Sequence, residues 1–253
     1  MLPSRWIGGE EWSEEVWSFP DLLDDAHHVQ HARPDLISAE TVADRFVSAL
    51  ELEDSLIIDP FAAAAVLDAR LRAWGRRACS AVVSFEPELV LRVPLAAKPI
   101  AQARRIDHEL GHIAADFDGV PRPHDEDWID HVGAAIWLRR RGVRRALARW
   151  GWDGPRLLRA FGPEVPAEII FRRVALVGGG LAILRSFEAP RRVFAPEHIR
   201  FREHARGWEK RWMRTAMYGG EQHGFEGEGA WPFRDELEGH GGLILIPPWA
   251  LDT

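Results

Sequence analysis

Two histidines four residues apart, with a glutamate directly after the first, constrain this chain more than any other feature: His108-Glu109-Leu110-Gly111-His112. On an α-helix, residues four apart share a face, so both imidazoles can reach one ion. Glu109 then stands beside that ion, where a carboxylate can take a proton from water. The flanks also call for a helix. Ile106, Leu110, Ile113 and Phe117 fall at i, i+4, i+7 and i+11, an apolar stripe that runs beside the histidines without overlapping them. With 11 His and 22 Glu among 253 residues, the pattern arises by accident roughly 4% of the time. The motif therefore needs a third ligand before it reads as a metal site.

The following segment offers one. Asp118-Gly119-Val120-Pro121-Arg122-Pro123 is a turn with two prolines that stops the first helix. A second helix is predicted from an N-cap at Asp125 to about Arg141, ahead of Gly142. On it Glu126 and Asp130 are four apart and share a face, and Gly133 and Ala134 continue that face with small side chains that let two backbones approach. Glu126 would complete a His108, His112, Glu126 set around Zn2+, leaving a fourth position for water. Asp130 would accept a hydrogen bond from a ligand histidine's outer nitrogen and fix its tautomer. The competing reading of Asp125-Glu126-Asp127 is an acidic first turn that complements the helix dipole. Asp118 and Asp116 are the other third-ligand candidates. The first lacks the glycine that such a turn needs, since Ala115 stands there, and the second would crowd the site.

Residues from about 40 to 141 resemble the ImmA/IrrE family of zinc metallopeptidases. The resemblance lies in Ala103-Arg104-Arg105-Ile106-Asp107-His108-Glu109-Leu110-Gly111-His112, in Glu126-x-x-x-Asp130, and in the small-residue helix Val132-Gly133-Ala134-Ala135-Ile136-Trp137-Leu138. One departure is Arg139-Arg140-Arg141, where the family usually has a proline soon after the leucines. The resemblance implies a cytoplasmic protein, associated with phages or mobile elements, that cleaves or antagonises repressors. It implies His108, His112 and Glu126 as ligands and Glu109 as the base.

Totals narrow the setting. A chain of 253 residues holds one large domain or two small ones. Its net charge of −7 argues against wholesale nucleic-acid binding through a basic surface. Cys79, the single cysteine, excludes an internal disulfide and reads as a small buried residue in a reducing compartment. No run of about 18 apolar residues marks a membrane span, and Glu10, Glu11, Glu14 and Glu15 spoil any signal-peptide pattern.

The chain divides by pattern into an N-terminal extension (1–38), a metallopeptidase core (39–150), a helical hairpin (151–180) and a mixed α/β region (181–253). In the extension, His27-His28-x-x-His31 reads as a solvated polar turn. In the core, helices are predicted from Ser38 to about Leu52 and from Pro60 to about Trp74, then a hairpin of Ala78–Phe85 and Glu88–Val93 through Glu86-Pro87. Arg139 to Arg149 carries six arginines, an exposed face or a contact for an acidic partner. Residues 155–177 read as helix, turn, helix. The family resemblance implies a helix-turn-helix-like segment there, whereas Phe171-Arg172-Arg173-Val174 favours a hairpin packed on the core over one that reads DNA. Gly178-Gly179-Gly180 reads as a hinge, Leu181–Phe187 with Arg191–Phe194 as a second hairpin, His198–Met217 as a helix, Glu221–Glu238 as a loop and Gly242–Ile246 as a strand.

The expected fold is thus α+β: a zincin-like core of ligand helix, small sheet and second ligand helix, then a smaller mixed region. The expected function is a zinc-dependent endopeptidase acting on a protein, with a transcriptional repressor as the substrate the resemblance suggests. The alternatives are a non-catalytic zinc-containing regulator that grips a repressor or DNA, and a scaffold with a folding zinc site. Tyr218, His131 and His223 are unranked candidates for stabilising the oxyanion.

Overall fold

The computed structural model describes residues 36–74, 82–84, 89–94, 97–121, 124–186, 192–196, 207–224, 227–235 and 239–251. The His27-His28-x-x-His31 cluster and Cys79 lie outside them. The architecture is mixed α+β, with two small sheets. Its first half contains α1 (Leu36–Ala49), α2 (Pro60–Val66), β1 (Arg70–Trp74), β2 (Val82–Ser84), β3 (Val90–Pro94), α3 (Pro99–Phe117) and α4 (Glu126–Trp137). The second half contains α5 (Arg140–Trp150), α6 (Gly154–Phe161), α7 (Ala167–Gly178), β4 (Leu181–Ser186), β5 (Arg192–Phe194), α8 (Gly207–Met217), β6 (Gln222–His223), β7 (Gly229–Asp235) and β8 (Gly239–Ile246).

The first sheet has the order β1-β3-β2, parallel between β1 and β3 and antiparallel between β3 and β2. Leu91 and Val93 of β3 share a core with Ile106, Leu110 and Ile113 of α3, so the apolar stripe anticipated on the ligand helix is the face that seats it. Val42, Phe46 and Val47 of α1 and Ile129, Val132 and Ile136 of α4 close the same core. The second sheet, β5-β4-β8-β7-β6, is antiparallel throughout. Its strands alternate as a two-sided sheet should. Leu181, Ile183, Ile244 and Ile246 meet Met213 and Ala216 of α8, while Ala182, Leu184, Leu243 and Leu245 share a core with α6 and α7. That second core also contains Trp137, Leu138 and Val143, so residues on either side of positions 150 and 180 share one interior.

Four expected elements take different forms. The helix from Pro60 stops at Val66, because Asp68 adopts a positive φ of 53° and the chain continues as strand β1 beside β3. The helix from Glu126 ends at Trp137 instead of Arg141. Leu56–Ile58 captures the backbone there: Ile58 N–H donates to Trp137 O (2.8 Å), Arg139 N–H donates to Leu56 O (3.0 Å), and Ile57 bridges Leu138. Gly142 consequently lies inside α5, not beyond a helix end. Glu221–Glu238 holds strands β6 and β7, since Trp231 and Phe233 anchor that Gly- and Glu-rich segment in the core. Gly178 and Gly180 are a packed joint and no hinge, because a Cβ at Gly180 would sit 2.2 Å from the Trp152 ring.

The site depends on the crossing of α3 and α4. A Cβ at Gly111 would lie 2.6 Å from Ile129 O, and one at Gly133 would lie 2.5 Å from Asp107 O. Each glycine thus accepts the other helix's backbone where a side chain would stand. Alanine is the better helix former by roughly 1 kcal/mol, but overpacking against a backbone costs about 1–3 kcal/mol. Gly133→Ala is expected to lower the thermal unfolding midpoint. An unchanged or raised midpoint would mean that the helices separate freely at this crossing.

Candidate metal centre

The α3 motif and the first turn of α4 converge. Asp125 caps α4, its carboxylate accepting from Trp128 N–H at 2.9 Å, and this starts the helix so that Glu126 points back at α3. Glu126 Oε2 lies 3.1 Å from His108 Nε2 and 3.5 Å from His112 Nε2, and the three atoms fall within 4.8 Å of one another. Ligand atoms of a tetrahedral zinc with bonds near 2.0–2.1 Å stand about 3.3–3.4 Å apart, close to the two distances from Glu126, and two imidazoles with a carboxylate are donors that such an ion takes. The imidazoles are nearly perpendicular, at 79° with centroids 5.0 Å apart. The Glu126 side chain is 69% exposed, which leaves the group open to solvent on that side.

The outer nitrogens have separate partners. His108 Nδ1 donates to Asp130 Oδ1 at 2.9 Å. Asp130 also accepts from Arg104 at 2.8 Å and is paired with Arg172 at 3.3 Å. Burial alone would raise the Asp130 carboxyl, yet Arg104, Arg172 and His108 together hold it well below the usual range. His112 Nδ1 faces His124 Nδ1 at 3.1 Å.

Charge inside the site follows from these contacts. Burial opposes a proton on His108, but its bonds to Asp130 and Glu126 prevail and lift it to about 10. Its bonds to His108 and His112 hold Glu126 down at about 2. Glu109 moves the other way, its carboxyl pushed up by burial against the pull of His108 and His112.

Asp118 turns away to α1, where Arg45 donates to it at 2.8 Å, and Asp116 lies 3.4 Å from His124 Nε2. Neither joins the cluster. None of the three oxyanion candidates is among the grouped residues His108, His112 and Glu126. His131 lines a cavity with Glu40, Arg140 and Arg173, and burial, with Arg172 nearby, pushes it down to about 3. His223 stands edge-on to Trp231, and Tyr218 follows α8 in the turn before β6, 77% exposed. Residues Ala167–Ala175 of α7 are all buried.

Several supporting residues carry no pattern in the sequence. Arg104 sits one turn before His108 and is the only one that helix spacing could have nominated. Arg172 and Glu168 come from α7, and His124 from the turn between the ligand helices; only folding places them. Glu168 pairs with Arg172 (3.1 Å), Arg192 (2.7 Å) and Arg104 (3.7 Å), extending the charge network from Asp130 to β5. No family model matches the chain, and comparison with curated proteins gives no match.

Glu168 provides a test of the network. Burial would raise its carboxyl, but the three arginines outweigh that and lower it from 4.5. A depressed folded-state value means that its contribution is complete above the unfolded value and is lost as pH falls through the folded one. Urea unfolding should therefore show wild-type stability declining as the pH drops below about 4.5, partly through this group. Glu168→Gln should cost about 3–5 kcal/mol at pH 7 and flatten that acid limb. An acid limb as steep as wild type in the variant would remove Glu168 from the account.

Proposed function

We propose that the protein is a zinc-dependent endopeptidase whose ligands are His108, His112 and Glu126. The observation that carries this reading is the Glu126 carboxylate, brought from a second helix to 3.1 and 3.5 Å from the paired imidazole nitrogens. Zinc held there would polarise a scissile carbonyl and make water acidic enough to attack near neutral pH. Glu109 follows the first ligand on α3 and supplies the base. Its carboxylate takes the proton of the attacking water and returns it to the leaving amine nitrogen. The upward push on this carboxyl suits a group that must hold a proton between those two events. Asp130 keeps His108 oriented, and Arg104 and Arg172 keep Asp130 charged.

The exposed side of Glu126 admits a polypeptide more readily than a closed pocket would, in keeping with a protein substrate. That the substrate is a transcriptional repressor, and that the protein works in the cytoplasm, follow from the resemblance to the ImmA/IrrE family. Among the described residues no helix is long and apolar enough to cross a membrane.

Purified protein should contain close to one zinc per chain by elemental analysis, and Glu126→Ala should lose most of it. Glu109→Gln should retain the zinc while slowing hydrolysis of a susceptible protein by ~10²-fold or more. Undiminished cleavage by that variant would end the base assignment. A stable complex with a repressor that yields no fragments, with or without chelator, would favour the non-catalytic regulator instead.

A further inference from the structure

The two histidines of the motif are oriented by unlike means, and the second has a partner that the sequence reading leaves out. His112 directs Nε2 toward Glu126 Oε2 at 3.5 Å, so Nδ1 is its outer nitrogen, and this faces His124 Nδ1 at 3.1 Å. The two rings are nearly parallel, inclined by 23° with centroids 5.4 Å apart. On the far side of His124, Nε2 lies 3.3 Å from Val120 O and 3.4 Å from Asp116 Oδ1. The His124 side chain is only 2% exposed, so both ends of its ring are enclosed by protein.

We propose that His124 is the positioning residue for His112, holding the second imidazole in the tautomer and orientation that a zinc ligand requires. The proposal rests on the zinc reading above. Its logic starts at a backbone carbonyl, which can only accept, so His124 Nε2 must be the nitrogen that donates. A neutral imidazole that donates from Nε2 accepts at Nδ1. Of two nitrogens 3.1 Å apart only one supplies the hydrogen, and with His124 as the neutral ring it is His112 Nδ1. In the zinc-bound state this tautomer would leave the lone pair of His112 Nε2 for the ion, on the side where Glu126 Oε2 stands. Val120 O, reinforced by Asp116, thus sets the protonation pattern of His112 through an intervening ring.

The arrangement also couples the ligand helices. Asp116 and His112 belong to α3, while His124 stands in the turn two residues before Glu126. One side chain therefore orients the second ligand and ties down the segment that delivers the third. His108 has no such relay, since its outer nitrogen meets the Asp130 carboxylate directly.

Zinc affinity, measured by competition with a chromogenic chelator, tests the proposal without recourse to activity. His124→Leu removes the acceptor and should weaken zinc by about 10–100-fold, the usual cost of losing a partner behind a metal-bound histidine. His124→Asn places an amide oxygen where Nδ1 stood and should recover most of that loss. Equal affinity in wild type and His124→Leu, or equal weakness in both variants, would overturn the proposal. A wild-type chain that takes up no zinc would defeat the metal site itself. Should His124→Leu fail to fold, long-range proton–nitrogen spectra of wild-type, zinc-loaded protein decide the matter. His124 should appear as the Nε2–H tautomer and His112 as Nδ1–H, and a proton on His124 Nδ1 would refute the relay.

Discussion

The backbone contact between α3 and α4 is the constraint on which the rest of the site depends. His108 and His112 share a face by helix geometry alone, but Glu126 belongs to another helix and reaches them only if the two axes come unusually close. Gly111 and Gly133 permit this by giving up their side chains at the two points of contact, one against Ile129 O and the other against Asp107 O. Gly111 lies inside the histidine motif itself. The same five residues therefore supply two candidate ligands, a candidate base and half of the crossing that brings Glu126 to them.

That crossing buries charge, and the buried charge is matched by charge from the second half of the chain. Asp107 is wholly buried, with Oδ1 unpaired among the described residues; burial pushes its carboxyl up to about 7 against the pull of Arg104. Asp130 stays ionised because Arg104 and Arg172 flank it, and Arg172 is fixed by Glu168, which Arg192 holds from β5. Removing one member of such a network leaves an uncompensated charge in a poorly solvated place, which costs far more than an exposed pair would. The second sheet and α7 thus take part in shaping the site, although none of their residues belongs to the three-ligand cluster. The arginines of Phe171-Arg172-Arg173-Val174 serve in this interior. Arg173 donates to Leu138 O at 2.9 Å and pairs with Glu40.

Much of the local structure was legible because it is encoded within a few residues. The stop of α3 near Asp118, the cap at Asp125, the helix pair within 155–177 and the strand ending at Ile246 all come from short-range preferences, and they appear close to where the pattern puts them. Two segments that depart from the expected pattern share a cause. Trp137–Arg139 leaves the helix because Leu56–Ile58, far away in the chain, pairs with its backbone. β7 is a strand because β8 lies beside it and two aromatic side chains find a core, against a composition that suggests a loop. Pro232 lies beyond Gly229 and Ala230, the two residues of β7 that pair with β6, and stands opposite Gly242 of β8.

The sequence by itself determined the chemistry on offer: two imidazoles and a carboxylate on one helix, and further carboxylates at fixed spacing on the next. Helix periodicity is a local property, so that much needs no knowledge of the fold. Tertiary structure decided which of those groups meet and what stands behind them. It brought Glu126 to the paired imidazoles while Asp118 turned to Arg45, placed Asp130 behind His108, and set His124 behind His112 from a turn with no periodic signal. Those outcomes depend on how closely two helices can approach and on which distant charges are buried with them, and no window of neighbouring residues encodes either.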